Sequence, residues 1–290
     1  MYKEILALLA ICAIIAVSGC TFQLPGQQQT TPVAAGTQGL IIESFGPNVE
    51  YPVPDQSVDI EARIKNVGDA VAENIDGELY LLSWTSSKTN NCGSLSQPDP
   101  EIGREGAECT ISWRVETPEV VDKTEDYEVG AHIFYDYMTT TVATVYAFSQ
   151  DEYIKRMERG ETIPTVRDIR NSNGPIHVDV RVQKVLRIPD TGTSNVPITL
   201  VFKNVGGGNP EYNAADHHYV LESATVDVLG SKVSCDSPIV MRGGNEGTCT
   251  VNIDLSSQST GELKIPITVT TKYRYEISKE TKITVHKLPE

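Results

Sequence analysis

From Ser57 the chain alternates: Val58, Ile60, Ala62 and Ile64 are apolar, and the residues between them are polar or charged. A period of two puts such side chains on one face of a β-strand and their neighbours on the other. Ile198, Leu200 and Phe202 follow the same rule less cleanly. Both runs end in Lys-Asn-Val-Gly, at Lys65 to Gly68 and at Lys203 to Gly206. Asparagine and glycine tolerate positive φ, so the chain is expected to turn there. Further strands are predicted over 78–84, 109–115, 127–137 and 140–148, and again over 219–228, 248–255, 263–275 and 281–286. Short strands punctuated by turn signals predict an all-β sandwich.

The two halves repeat each other. Gly106-Ala107-Glu108-Cys109-Thr110-Ile111 matches Gly247-Thr248-Cys249-Thr250-Val251 with a one-residue gap, and Tyr135-Asp136-Tyr137 matches Tyr273-Arg274-Tyr275. Each half carries an earlier cysteine, Cys92 or Cys235. The order is conserved between the halves and the offset stays near 138 to 140, which is the signature of a duplicated domain. The expected architecture is two tandem immunoglobulin-like β-sandwich domains, 38–148 and 175–288, joined by a short helical linker within 149–174. In the linker, Ser149 and Glu152 have capping-box spacing, Tyr153, Ile154 and Met157 have helical spacing, and Gly160 can end the helix. A helix over 150–159 is predicted, packing those three side chains against a domain end; the alternative is a partner-binding helix.

A strand ending in Lys-Asn-Val-Gly, followed by a glycine-containing turn into Cys109–Trp113 or Cys249–Ile253, resembles the CARDB-like and related bacterial and archaeal Ig-like modules. The likeness covers nearly all of 38–288. It implies Ig-like sandwiches serving as adhesive or spacer units of envelope proteins.

The N-terminus adds a destination. Lys3 precedes an uninterrupted apolar run from Ile5 to Val17, a signal-peptide core too short for an ordinary membrane span. Val17-Ser18-Gly19-Cys20 then resembles the lipobox of bacterial lipoproteins. That resemblance implies lipidation of Cys20 and a partner in the membrane itself; a plain cleaved signal or an uncleaved anchor is the alternative. Residues 1–20 read as the signal, and 21–37, rich in Gln, Thr, Pro and Gly, as a flexible tether.

Charge narrows the partners. The formal net charge is −15, so nucleic acid and anionic lipid headgroups are repelled. Cys12 lies in the signal core and Cys20 is the lipidation candidate, and the repeat implies that the remaining four cysteines pair as Cys92–Cys109 and Cys235–Cys249, each inside its own half. Neither pair has the Cys-x-x-Cys spacing of metal or redox sites.

Little else suggests chemistry. Phosphate loops, nucleophile elbows, zincin and EF-hand motifs are absent, and Gly206-Gly207-Gly208 lacks the Lys-Ser/Thr and helix that a phosphate loop needs. Asp216-His217-His218 is the one histidine cluster, a metal candidate only if it lies in a loop. Asp99, Glu101, Glu105 and Glu108 are a candidate calcium loop against the expectation of a solvated acidic face. Tyr135, Tyr137, Tyr273 and Tyr275 form either an aromatic binding stripe or core, with core expected; Trp84 and Trp113 are expected core anchors. The sequence thus predicts no catalytic residue, no cofactor and no metal. It predicts an exported protein on the outer face of the cell membrane that binds an unidentified envelope protein or surface ligand. The alternatives are a passive spacer or assembly subunit, and a metal-dependent binder or enzyme.

Overall fold

The computed structural model describes residues 36–80, 82–119, 123–256 and 261–287. The described residues belong to one compact unit, Val33–Glu290. The signal segment, Cys20 and nearly all of the tether lie outside the described residues. No described helix is long and apolar enough to cross a membrane.

This unit is all-β with one described helix. The first half of the repeat contributes β1 (Leu40–Pro47), β2 (Ser57–Asn66), β3 (Ala72–Tyr80), β4 (Lys88–Leu95), β5 (Glu108–Glu116) and β6 (Glu125–Phe148). Helix α1 (Gln150–Glu158) follows. Next come β7 (Val166–Asn171), β8 (Ile176–Arg181), β9 (Leu186–Arg187), β10 (Thr193–Asn204), β11 (Asn209–Asn213) and β12 (His218–Leu221). The last are β13 (Ser223–Val228), β14 (Ser231–Ser234), β15 (Ile239–Arg242), β16 (Glu246–Ser256) and β17 (Glu262–Val285).

β6 and β17 organise the unit. Each is 24 residues long, about 80 Å when extended, and they pair antiparallel throughout, from Glu125↔Val285 to Phe148↔Glu262. The strands expected over 127–137 and 140–148 are one continuous strand, and so are those expected over 263–275 and 281–286. No glycine, proline or asparagine interrupts Tyr137-Met138-Thr139-Thr140 or Glu276 to Glu280, so alternation continues and the strand does too. The N-terminal part of β6 carries β3 and β4 beside it and faces the separate sheet β1-β2-β5. The C-terminal part of β17 reaches that same region: Lys279 Nζ donates to the carbonyls of Ile42 and Glu43, and His286 N donates to Pro52 O. Conversely, the C-terminal part of β6 pairs with β7 and β9, and Thr139 Oγ1 donates to Ile176 O. The N-terminal part of β17 pairs with β13. Each half therefore lends a strand end to the other. The expected borders at 148 and 175 follow the chain but not the packing, since 33–290 is one compact unit.

The ladder is symmetric with the repeat. An offset of 138 carries Tyr135 to Tyr273, Asp136 to Arg274 and Tyr137 to Tyr275, and the ladder pairs Tyr135 with Tyr275, Asp136 with Arg274 and Tyr137 with Tyr273. Exchanging the halves returns the same pairs, so a local two-fold passes through Asp136–Arg274.

The inner faces are apolar. Ile60, Ile64, Ile111 and Ile133 are fully buried in the first half, as are Leu200, Phe202, Val226 and Ile267 in the second. Trp113 is buried between the layers and its indole N–H donates to Gly77 O at 3.3 Å. A Cβ on Gly77 would stand 2.6 Å from that ring. Trp84 is only half-buried, edge-on to Tyr127.

The Lys-Asn-Val-Gly motif acquires a different cause from the one its sequence suggests. Neither Gly68 nor Gly206 has positive φ. Asn66 Nδ2 donates to Ala70 O, and its Oδ1 accepts from Gly68 N. Asn204 repeats both bonds with Gly208 and Gly206. The hydroxyl of Tyr137 accepts from Ala70 N, and that of Tyr275 from Gly208 N, each at 3.1 Å. A Cβ on Gly68 would lie 2.0 Å from Tyr137 Oη, and one on Gly206 2.6 Å from Tyr275 Oη. The glycine makes room for the tyrosine.

Helix α1 is capped as predicted, Ser149 Oγ accepting from Glu152 N, and Gly160 follows it at φ +70°. The Glu152 side chain turns to Arg156 (2.8 Å) instead of reaching back. The predicted packing of Ile154 and Met157 does not occur: they are 42% and 57% exposed. Arg156 holds the helix down instead, stacking over Phe148 and pairing with Glu262 at 2.5 Å.

Candidate interaction surface

Both cysteine pairs form disulfides, Cys92–Cys109 and Cys235–Cys249. Each joins the two layers of its half, β4 to β5 and the residue after β14 to β16. The sites are not equivalent rungs. Cys109 pairs with Ile64, whereas Phe202, the counterpart of Ile64, pairs with Gly247; Cys249 lies two residues further along. Disulfides like these persist in oxidising compartments.

The tyrosine stripe is core. Tyr135, Tyr273 and Tyr275 are at most 1% exposed and Tyr137 is 4% exposed. Their rings contact one another edge-on or tilted at 5.7–6.2 Å. Burial pushes all four hydroxyls up, those of Tyr137 and Tyr275 to about 12 and those of Tyr135 and Tyr273 well above the usual value.

The metal candidates do not assemble. Asp216, His217 and the start of β12 lie at the tip of the β11–β12 hairpin, an insertion of the second half. There Asp216 accepts from Asn213 Nδ2 and His217 Nδ1 contacts the Tyr212 hydroxyl at 3.3 Å. The acidic loop is spent on cations: Lys65 pairs with Glu105 and Glu108, Arg63 with Glu108, and Arg104 lies 4.0 Å from Asp99. No group of three or more His, Cys, Asp or Glu among the described residues could hold a metal ion.

No family model and no curated protein matches the chain. Among solved structures, red sea bream transglutaminase is similar at 11% identity and a TM-score of 0.21, over 85% of this chain and 31% of that one. This chain spans about a third of that protein, and so slight a likeness carries no argument about activity. The CARDB-like resemblance rests on its motif residues alone.

What the sequence does not point to is a cleft of about 840 Å³ beside α1. β8 pairs with β10 only over Thr199–Asn204, while β16 pairs with β10 from Thr193 onward. At Val182 the chain leaves β8, bends at Gln183-Lys184, and crosses to β6 as the parallel strand β9. The gap left between this crossing and β10 is the cleft. Val182, Val185, Leu186, Val196, Pro197 and the Tyr153 ring line it. Its rim carries Lys184, exposed and without an ion-pair or hydrogen-bond partner among the described residues, and Arg187. Arg187 stacks on Tyr153 at 4.3 Å and donates to Gln150, a neutral partner. One signal was legible, a proline inside an alternating strand, which marks a sheet edge.

Proposed function

We propose that this chain is an exported, non-enzymatic envelope protein, tethered to the outer face of the membrane by lipid on Cys20, that binds another envelope protein or surface ligand. The observation that carries it is the pair of layer-bridging disulfides, whose chemistry belongs to an oxidising compartment, in a chain that carries an apolar run from Ile5 to Val17 leading into Ser18-Gly19-Cys20. The cleft supports binding, since concave sites lined by apolar groups with a few polar ones are the usual ligand seats. A spacer is the second reading, favoured by the uninterrupted β6–β17 ribbon.

Two measurements test this. Labelled palmitate and membrane association should both be lost on Cys20→Ser; unchanged labelling defeats the anchor. Crosslinking on intact cells, followed by mass spectrometry of the purified protein, should give one recurrent partner in near-equal amount. Self-crosslinks alone would favour the spacer.

A further inference from the structure

We infer that the cleft beside α1 receives an extended, apolar peptide segment of a partner protein that pairs with β10 as an added strand and places a carboxylate against Lys184 and Arg187. This deepens the binding reading above and rests on it.

The backbone defines the shape of the occupant. Thr193 to Ile198 have β16 on one side and, among the described residues, no strand on the other, because β8 stops pairing at Thr199. Unpaired strand groups are a template for another strand, and natural sheets usually cover them. Here the segment that would cover them, Val182 to Val185, crosses to the other layer instead. Pro197 lacks a backbone donor, which sheets tolerate at an edge.

The side chains define the chemistry. Alternate residues of an added strand would face Val182, Val185, Leu186 and Val196. The described residues of the lining include no aspartate or glutamate, although the chain has 39 acidic residues against 24 basic ones. Lys184 has no anionic partner among the described residues, and Arg187 has only a glutamine and a ring. A patch with two uncompensated cations on so acidic a protein selects a carboxylate-bearing segment and repels a basic one.

The test uses the full chain in detergent and two short fluorescent peptides. One alternates valine and threonine around a central glutamate; its twin has lysine there. The glutamate peptide should bind saturably, slow hydrogen exchange across Thr193–Ile198 about tenfold or more, and bind about tenfold more weakly to Lys184→Glu. The lysine twin should prefer that variant. Lys184 is exposed, so the variant keeps its fold, which unchanged exchange elsewhere confirms. No saturable binding, or binding indifferent to both charges, overturns the inference. So does protection of the same edge that rises with protein concentration alone, which would assign the edge to a second copy. If the whole-cell crosslink persists while the peptide fails, the cleft assignment falls and the binding reading stands; loss of both removes both.

Discussion

Asp136 and Arg274 face each other across the β6–β17 ladder at 2.9 Å, and each occupies the other's place in the internal repeat. In a pair of identical copies this position would meet itself, carboxylate to carboxylate or guanidinium to guanidinium. Divergence of the halves has made it an ion pair. Arg274 also reaches Asp76 at 2.6 Å, and Asn74 Nδ2 donates to Asp136 at 2.6 Å, so the bulge in β3 is pinned to the same point.

Replacing Arg274 with glutamine leaves Asp136 and Asp76 without their cation. The expected cost is about 0.5–1.5 kcal/mol, because both carboxylates are more than a third exposed and solvent screens the pairs. Urea unfolding measures it. A double-mutant cycle with Asp136→Asn should show coupling; additive effects would mean that the pair is ornamental.

The shared ribbon predicts how the halves behave when cut. Fragments 33–160 and 161–290 each lack a strand end that the other supplies, and each exposes a full 24-residue edge. Alone, each should aggregate or form a two-fold dimer through its long strand, with like charges facing at Asp136 or at Arg274. Mixed, they should form a one-to-one complex in preference to either homodimer. Native mass spectrometry decides, and two stable monomers would show that the halves are independent domains.

Much of the fold was legible because strand alternation and repetition are local. Val58 to Ile64, Cys109 to Val115 and the Ser149 cap all fall where the pattern puts them. The lending of strand ends was not legible, because it depends on which ladder the residues beyond Tyr137 and Glu276 join, and alternation is silent on partners. The disulfide pairing followed from the repeat, but its two-residue displacement follows from register, which a gapped alignment hides. The cleft was missed for the same reason: it exists because one segment leaves its sheet, and the amino acids at 182–185 carry no sign of where they go.

Gly68 stands where Tyr137 Oη would be 2.0 Å from a Cβ, with Gln38 O at 2.9 Å. Gly68→Ala should cost about 1–3 kcal/mol, as overpacking does. Tyr137→Phe removes the clashing oxygen, so the double variant should lose less than the sum. Thermal unfolding of the four proteins tests this, and strict additivity would place the strain in the backbone instead.

Removing the first disulfide as Cys92→Ser with Cys109→Ser opens a loop with a sequence separation of 17. The expected loss is about 3 kcal/mol in the chain-entropy model. Folding should survive, because both layers of that half are also joined through buried Trp113 and Ile111. Comparing the unfolding of this variant with that of the oxidised parent measures the loss.

The tyrosine cluster predicts an alkaline limit on stability. Desolvation raises the hydroxyls of Tyr137 and Tyr275 to about 12 in the fold, against an unperturbed value of 10.0, and those of Tyr135 and Tyr273 further. The folded chain therefore holds these protons more tightly than the unfolded chain does. Between pH 10 and 12 the unfolded state has lost protons that the native state keeps, so stability falls as pH rises. The contribution is complete below about pH 10 and disappears as pH climbs through the folded values. Urea midpoints should be flat from neutrality to about pH 9.5 and drop steeply above it. The cluster's share of the phenolate absorbance should appear only together with the loss of β-sheet circular dichroism. Tyr275→Phe should keep the fold less firmly at neutral pH, because Gly208 N and Asn204 lose their partner, yet flatten the alkaline decline. Phenolate absorbance that is complete near pH 10 in the folded protein would mean that water reaches these rings, and that the centre of the ribbon opens on the timescale of the titration.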